Sequence, residues 1–209
     1  MTFQNGLLNE QPVSLTVNGR GLVTVMMLKE KTEEFAAGYL VTERIVPYAD
    51  IESVMRNDSG VSVLTKNPFK VLLPKKSVVS GCGGTASYLD PQKMPVLERS
   101  IPVQKNILRE EFCSEVIKAG GFGAKAFANG KLVASADDIG QYSAQDKVVG
   151  KLLMDEIPPE NTAVIVSGKI TAELVRKYLF AKISVLASKL PPTHIAAEVA
   201  KNGKLTLVY

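Results

Sequence analysis

The run from residue 163 to the end constrains this chain more than any other stretch. It reads as strand 163–166, helix 171–180, strand 183–187, helix 193–200 and strand 204–208. Strands alternating with helices across short connections imply a largely parallel sheet with crossover helices. Upstream, segments 122–128 and 131–135 flank Asn129-Gly130, whose residues suit the positive-φ turn of a hairpin. Residues 143–155 suit a helix, and so do 107–118, where Cys113 beside Phe112 and Val116 reads as a small core thiol. Residues 105–209 therefore form an α/β domain.

The first part of the chain is patterned differently. Residues 11–28 alternate about Asn18-Gly19, with Val13, Leu15 and Val17 on one face of a hairpin. Thr32 reads as the N-cap of a helix that carries Glu33 and Glu34 in its first turn and Phe35, Ala36, Tyr39 and Leu40 on an apolar face. Strands at 61–65 and 69–73 complete a small α+β domain over 1–75. Between the two domains, 76–104 is a linker rich in Gly, Ser, Lys and Pro with little periodicity. It carries Cys82 within Val79-Ser80-Gly81-Cys82-Gly83-Gly84-Thr85. Glycines around a thiol let a ligand approach the backbone closely; the other reading is a small apolar side chain packed under a loop.

Composition excludes several classes. With 209 residues and 45% hydrophobic content, the chain is large enough for one or two packed domains. No apolar run approaches the roughly 18 residues of a membrane span, and residues 1–5 lack the basic and apolar regions of a secretory signal. Two cysteines make no disulfide framework, so a reduced, cytoplasmic setting is expected. The net charge of +4 comes from 25 basic and 21 acidic residues that interleave, which leaves no basic stripe for nucleic acid. One histidine and two distant cysteines cannot build a zinc site. No serine sits in a G-x-S-x-G elbow for a triad with His194, which is expected at a helix start on the surface.

Three short constellations could carry chemistry. Ser167-Gly168-Lys169 lies between a strand and a helix, where free N–H groups, the helix dipole and a lysine favour an anion such as a phosphate. It could equally be a plain connecting turn. Asp137-Asp138, before Gly140, could bind a metal, orient a hydroxyl, act as a base or cap the next helix. Gly120-Gly121-Phe122-Gly123 opens a strand, so it is not a dinucleotide fingerprint. Asp146-Lys147, on the following helix, is expected at the surface unless it points into a cleft.

Taken in order, these segments resemble the FdhD/NarQ family of formate dehydrogenase accessory sulfurtransferases, from about Pro12 onward. Val17-Asn18-Gly19 and Glu34-Phe35-Ala36-Ala37-Gly38-Tyr39-Leu40-Val41-Thr42-Glu43 are similar to its first hairpin and helix. Ser80-Gly81-Cys82-Gly83-Gly84-Thr85 is similar to its S-S-C-G-x-C loop, and Gly120-Gly121-Phe122-Gly123-Ala124 to its T-G-G-x-H-A. The most specific match is Asp137-Asp138-Ile139-Gly140-Gln141-Tyr142-Ser143-Ala144-Gln145-Asp146-Lys147-Val148-Val149-Gly150, which is similar to E-D-V-G-R-H-N-A-x-D-K-x-x-G. Ser167-Gly168-Lys169-Ile170-Thr171 resembles S-G-R-x-S, and Pro192-Thr193 its following P-T. Departures are Thr85 for the second loop cysteine, Gly123 for the histidine, Gln141-Tyr142-Ser143 for R-H-N, and Lys169 for arginine.

The resemblance implies that the larger domain is cytidine deaminase-like without the zinc site. It also implies a sulfur carrier. Cys82 would take persulfide sulfur from a cysteine desulfurase and pass it to a molybdenum or tungsten bis-pyranopterin guanine dinucleotide cofactor destined for formate dehydrogenase. Residues carried over as binding that cofactor are Gly120, Gly121, Asp137, Asp138, Gly140, Asp146, Lys147, Ser167, Gly168 and Lys169. A homodimer is the expected assembly. The alternative is a non-catalytic relative that binds a guanine nucleotide-type ligand or a partner protein. A nucleoside deaminase is disfavoured, because the H-x-E and P-C-x-x-C zinc motifs are missing.

Overall fold

A computed structural model describes residues 2–68, 71, 77–79, 94–103 and 106–209, with 77–79 described by their backbone alone. The chain opens with a short ribbon, β1 (Phe3–Gln4) and β2 (Leu7–Leu8). The hairpin about Asn18-Gly19 forms as the alternation predicts, from β3 (Gln11–Val17) and β4 (Arg20–Met27). Helix α1 (Thr32–Thr42) follows, then β5 (Ile51–Asn57), β6 (Gly60–Thr65) and β7 (Ser77–Val79). These strands make a mixed sheet in the order β5-β6-β3-β4-β7. Helix α1 lays Phe35, Ala36, Tyr39 and Leu40 on Val13, Leu15, Val17, Val25, Val61 and Val63 to form its core. Thr32 is the first helical residue rather than the cap. The cap is Lys31 in the left-handed region, at φ 55°, while the Thr32 hydroxyl donates to Glu33 Oε2 at 3.0 Å.

The second sheet is built from β8 (Phe122–Ala128), β9 (Lys131–Asp138), β10 (Thr162–Val166), β11 (Val185–Ser188) and β12 (Thr206–Val208), in the order β12-β11-β10-β8-β9. The expectation of a largely parallel sheet holds for β10, β11 and β12 only. The β8–β9 hairpin adds to β10 antiparallel, because its tight turn reverses the chain without a crossover. Helices α3 (Gln141–Met154), α4 (Ala172–Phe180) and α5 (His194–Gly203) cover one face and share its core. The other face is closed by Ile101, Ile107, Leu108 and Phe112 over Phe127, Ile165, Val185 and Ala187.

Residues 107–118 are not one helix. A single 3-10 turn at Ile107–Arg109 and the one-turn α2 (Glu115–Lys118) bracket an extended stretch. There Lys125 Nζ reaches the Glu111 carbonyl at 2.7 Å and the Glu110 carboxylate at 3.3 Å, and it lies 5.5 Å from the Phe112 ring centroid. These contacts with β8 outweigh the local helical pattern. Of the expected strand at 69–73, only residue 71 is among the described residues.

The two sheets meet where α1 crosses α3. Each helix presents a glycine at the crossing. A Cβ on Gly38 would overlap the Asp146 carbonyl, and a Cβ on Gly150 would overlap the Glu34 carbonyl. Such backbone contact is open only to a residue without a side chain. It brings the end of α1 against α3 and α4.

Candidate functional site

In the second sheet β8 runs antiparallel to both of its neighbours, so β9 and β10 point the same way, and β11 is parallel to β10. Their C-terminal ends therefore lie along one edge. Each is followed by a helix, so the starts of α3, α4 and α5 converge there, with Gly140, Thr171 and Thr193 as N-caps. That edge is where open α/β sheets take ligands, and three helix N-termini favour an anion.

The turn Ser167-Gly168-Lys169 lies in the middle of this edge and is held on every side. Gly123 N–H donates to Ser167 Oγ at 2.9 Å, and Ser167 N–H returns a bond to the Gly123 carbonyl at 3.0 Å. Ser188 Oγ donates to the Gly168 carbonyl at 2.8 Å, and Gln141 Nε2 to the Lys169 carbonyl at 2.7 Å. The Gln141 amide covers Gly168, lying 2.8 Å from where a Cβ would stand. Tyr142 Oη shares a 2.9 Å hydrogen bond with Thr171 Oγ1, which also caps Leu174 N–H at 3.3 Å. Lys169 remains exposed, while Asp137 is half-buried with Oδ1 lying over Gly123.

Of the candidates from sequence, Gly120, Gly121, Asp137, Gly140, Ser167, Gly168 and Lys169 do gather at or beside this edge. Gly120 takes φ 91° in the turn into β8, and Gly121 packs beneath the end of β9 against Val116 and the Asp138 carbonyl.

Asp138, Asp146 and Lys147 behave differently, and the surface placement expected for Asp146-Lys147 is corrected. All three are at most 1% exposed. Asp138 Oδ2 accepts from Lys147 Nζ at 2.5 Å and from Leu28 N–H at 3.2 Å, and its Oδ1 accepts from Gly140 N–H at 3.1 Å. Lys147 Nζ also donates to the Leu28 carbonyl at 3.0 Å. Asp146 takes Thr42 Oγ1 at 2.7 Å and Lys177 Nζ at 2.9 and 3.1 Å. Lys177 also pairs with Glu43 at 2.7 Å, and Arg176 joins Glu43 at 2.7 Å to Glu173 at 2.5 Å. With their polar atoms engaged inside the protein, these groups join the two sheets and do not face a ligand.

The electrostatics agree with a dry junction. Burial raises the Asp138 carboxyl, although Lys147 opposes it, and burial lowers the Lys147 ammonium despite Asp138. For Lys177, burial alone would lower the ammonium; the carboxylates of Asp146 and Glu43 outweigh it and raise its pKa. Sequence reading missed the partners of these groups, namely Leu28, Thr42, Glu43, Arg176 and Lys177. The only hint was the glycine spacing of α1 and α3, because charged residues at helical spacing ordinarily read as a solvated face.

Cys82 lies outside the described residues, three positions beyond the end of β7. Cys113 is exposed and not in a core, since its segment is extended; its Sγ lies 3.6 Å from Glu111 Oε2. His194 is exposed, as expected. Among the described residues no three His, Cys, Asp or Glu side chains gather as for a metal ion, and no helix is long and apolar enough to cross a membrane.

Comparison with known proteins gives a consistent result. The model of the FdhD/NarQ family matches residues 8–209. A protein of Streptomyces avermitilis named sulfur carrier protein FdhD is 30% identical, the match covering 99% of this chain and 84% of that one. A protein of the same name from Wolinella succinogenes is 29% identical, over 97% of this chain and 76% of its own. A putative formate dehydrogenase accessory protein from Desulfotalea psychrophila shares the fold, with a TM-score of 0.75 at 24% identity, covering 97% of this chain and 84% of that one.

Proposed function

The chain belongs to the FdhD/NarQ family, and from that premise we propose that it is a sulfur carrier in which Cys82 holds the sulfur as a persulfide. The Cys82 thiolate attacks the outer sulfur of a persulfide on a cysteine desulfurase. The new S–S bond forms as the desulfurase's own S–S bond breaks, and the desulfurase cysteine leaves as a thiolate. Onward delivery as sulfide to the metal of a bis-pyranopterin guanine dinucleotide takes two electrons from a thiol reductant. Formate dehydrogenase is the enzyme for which that cofactor is prepared. The relatives' name, sulfur carrier protein FdhD, supports this reading.

The observation that carries it is a register. β7 runs parallel to β4 with Val79 beside Val25, so the C-terminal end of β7 points the same way as the exit of β4 at Leu28. Leu28 is bonded to Asp138, next to Asp137 and the start of α3. Cys82 follows Val79 by three positions in the sequence, and the start of α3 belongs to the edge where three helix N-termini favour phosphates. Ser167, Gly168, Lys169, Gly120, Gly121, Asp137 and Gly140 are the groups we assign to the nucleotide end of the cofactor.

A second reading has its own support. Gln141 and Tyr142 stand where the family has arginine and histidine, and both are turned inward, onto Lys169 and Thr171. A protein that binds a guanine nucleotide-type ligand and transfers nothing would look the same there. Intact mass spectrometry after incubation with a cysteine desulfurase and cysteine separates the two. The carrier gains one sulfur, and Cys82→Ser does not. If the wild type gains no mass while GDP still binds, the chain binds ligand only.

A further inference from the structure

The geometry points to Asp138 and Lys147 as positioning residues that fix where β7 leaves the first sheet relative to the turn at Ser167, Gly168 and Lys169. Together they take both backbone polar groups of one residue in the other domain. Leu28 N–H goes to Asp138 Oδ2, and the Leu28 carbonyl goes to Lys147 Nζ. The pair is closed on itself by the 2.5 Å contact between Lys147 and Asp138. The other oxygen of the same carboxylate takes Gly140 N–H, the N-cap of α3. One side chain therefore touches the exit of β4 and the start of the helix at the ligand edge.

Position along the chain gives this grip its reach. Val25 pairs with Val79, and Leu28 follows Val25 by three residues in the direction of β4. The two parallel strands point the same way. A hold on Leu28 is thus a hold on the end of the strand along which β7 leaves the first sheet.

A buried pair is weak grounds for stability, since apolar residues of similar volume often serve as well. Its better-attested use is to fix one arrangement among several. The junction already has a second ionic cluster, at Thr42, Glu43, Asp146 and Lys177, so holding the domains together does not by itself require Asp138 and Lys147. That second cluster touches neither Leu28 nor Gly140 in any hydrogen bond described above, and it serves as the internal control.

The consequence for sulfur handling rests on the carrier reading; the grip itself does not. The test is a distance measurement by pulsed electron spin resonance, with spin labels at positions 79 and 169 of a protein carrying Val79→Cys, Cys82→Ser, Cys113→Ser and Lys169→Cys. The paired variant Asp138→Leu, Lys147→Met removes the grip without leaving a lone buried charge. Should it not fold, Lys147→Arg keeps the charge and changes the reach. Thr42→Val cuts into the other cluster. The expected result is a single narrow distribution in the parent and with Thr42→Val, and a displaced or broadened one when the grip is altered. An unchanged distribution in the grip variant overturns the proposal. So does a broad one in the parent, or equal broadening with Thr42→Val, which would mark a merely structural role. Persulfide loading of Cys82, followed by mass in parallel on unlabelled protein that keeps Cys82, is expected to be unchanged in the grip variant. No loading in any protein would defeat the carrier reading and leave the distance result standing.

Discussion

Two residues of α4 show how differently a polar atom can sit in the same interior. Tyr178 is 1% exposed and its hydroxyl has no hydrogen-bond partner among the described residues. Burial, and then the nearby Asp146 carboxylate, raises the phenol well above its ordinary value of 10.0. The native protein therefore keeps a proton that the unfolded chain releases once pH passes 10.0. Stability from the neutral phenol is fully present below that pH and is lost as pH rises toward the folded value. Tyr178→Phe removes a buried group that bonds to none of the described residues. We expect it to be neutral to about 1 kcal/mol stabilising near pH 7, with a shallower fall in stability in alkali. Urea unfolding of both proteins at neutral and alkaline pH reads this directly; a loss of stability at neutral pH would mean the hydroxyl has a partner. Its neighbour Lys177 is the reverse case, with every bond used. Lys177→Met leaves Asp146 buried without its cation and Glu43 with Arg176 alone, and we expect a loss of about 3–5 kcal/mol in the same measurement.

At the level of elements, the crossing of α1 on α3 is the most demanding contact, because backbone meets backbone. Gly150→Ala would drive a methyl into the Glu34 carbonyl, where no side chain can turn aside. We expect about 3 kcal/mol or more of destabilisation, the upper end for overpacking, seen as a lowered urea midpoint. A cost as small as that of an exposed helical Gly→Ala change would refute the packing described. The elements that sequence anticipates well are those with local causes. The turns at Asn18-Gly19 and Asn129-Gly130 set two hairpins, and Thr171 and Thr193 cap α4 and α5. What escapes is set from far along the chain. β5 (Ile51–Asn57) has Glu52, Arg56 and little alternation, and it becomes a strand by pairing with β6. Residues 107–118 have a helical pattern, yet Lys125 draws Glu110 and Glu111 onto β8. In the site, the turn at Ser167-Gly168-Lys169 was legible because glycine and lysine follow a strand there. The inward roles of Asp138, Asp146 and Lys147 were not, since only the docking of α1 and Leu28 seals them.

For the whole molecule, the question is whether two sheets with separate cores act as one unit. Each has its own apolar cluster, centred on α1 in the first and on α3, α4 and α5 in the second. Separate cores would allow separate unfolding. Against this, opening the junction parts Glu43 from Lys177 and Arg176, Thr42 from Asp146, and Leu28 from Asp138 and Lys147, where no charged side chain is more than 6% exposed now. Each such hydrogen bond contributes about 0.5–3 kcal/mol, and the helix crossing adds buried apolar surface. That sum is comparable with the whole stability of a typical domain, about 5–15 kcal/mol, so partial opening has no advantage over global unfolding. Native-state hydrogen exchange tests it. Amides at the centre of each sheet, such as Leu15 in β3 and Val164 in β10, should exchange with the same opening free energy and the same denaturant dependence. Thr42→Val should lower both together. A first sheet that opens well below the second, with Thr42→Val moving only one of them, would mean that the ionic junction orients the domains without making them cooperative.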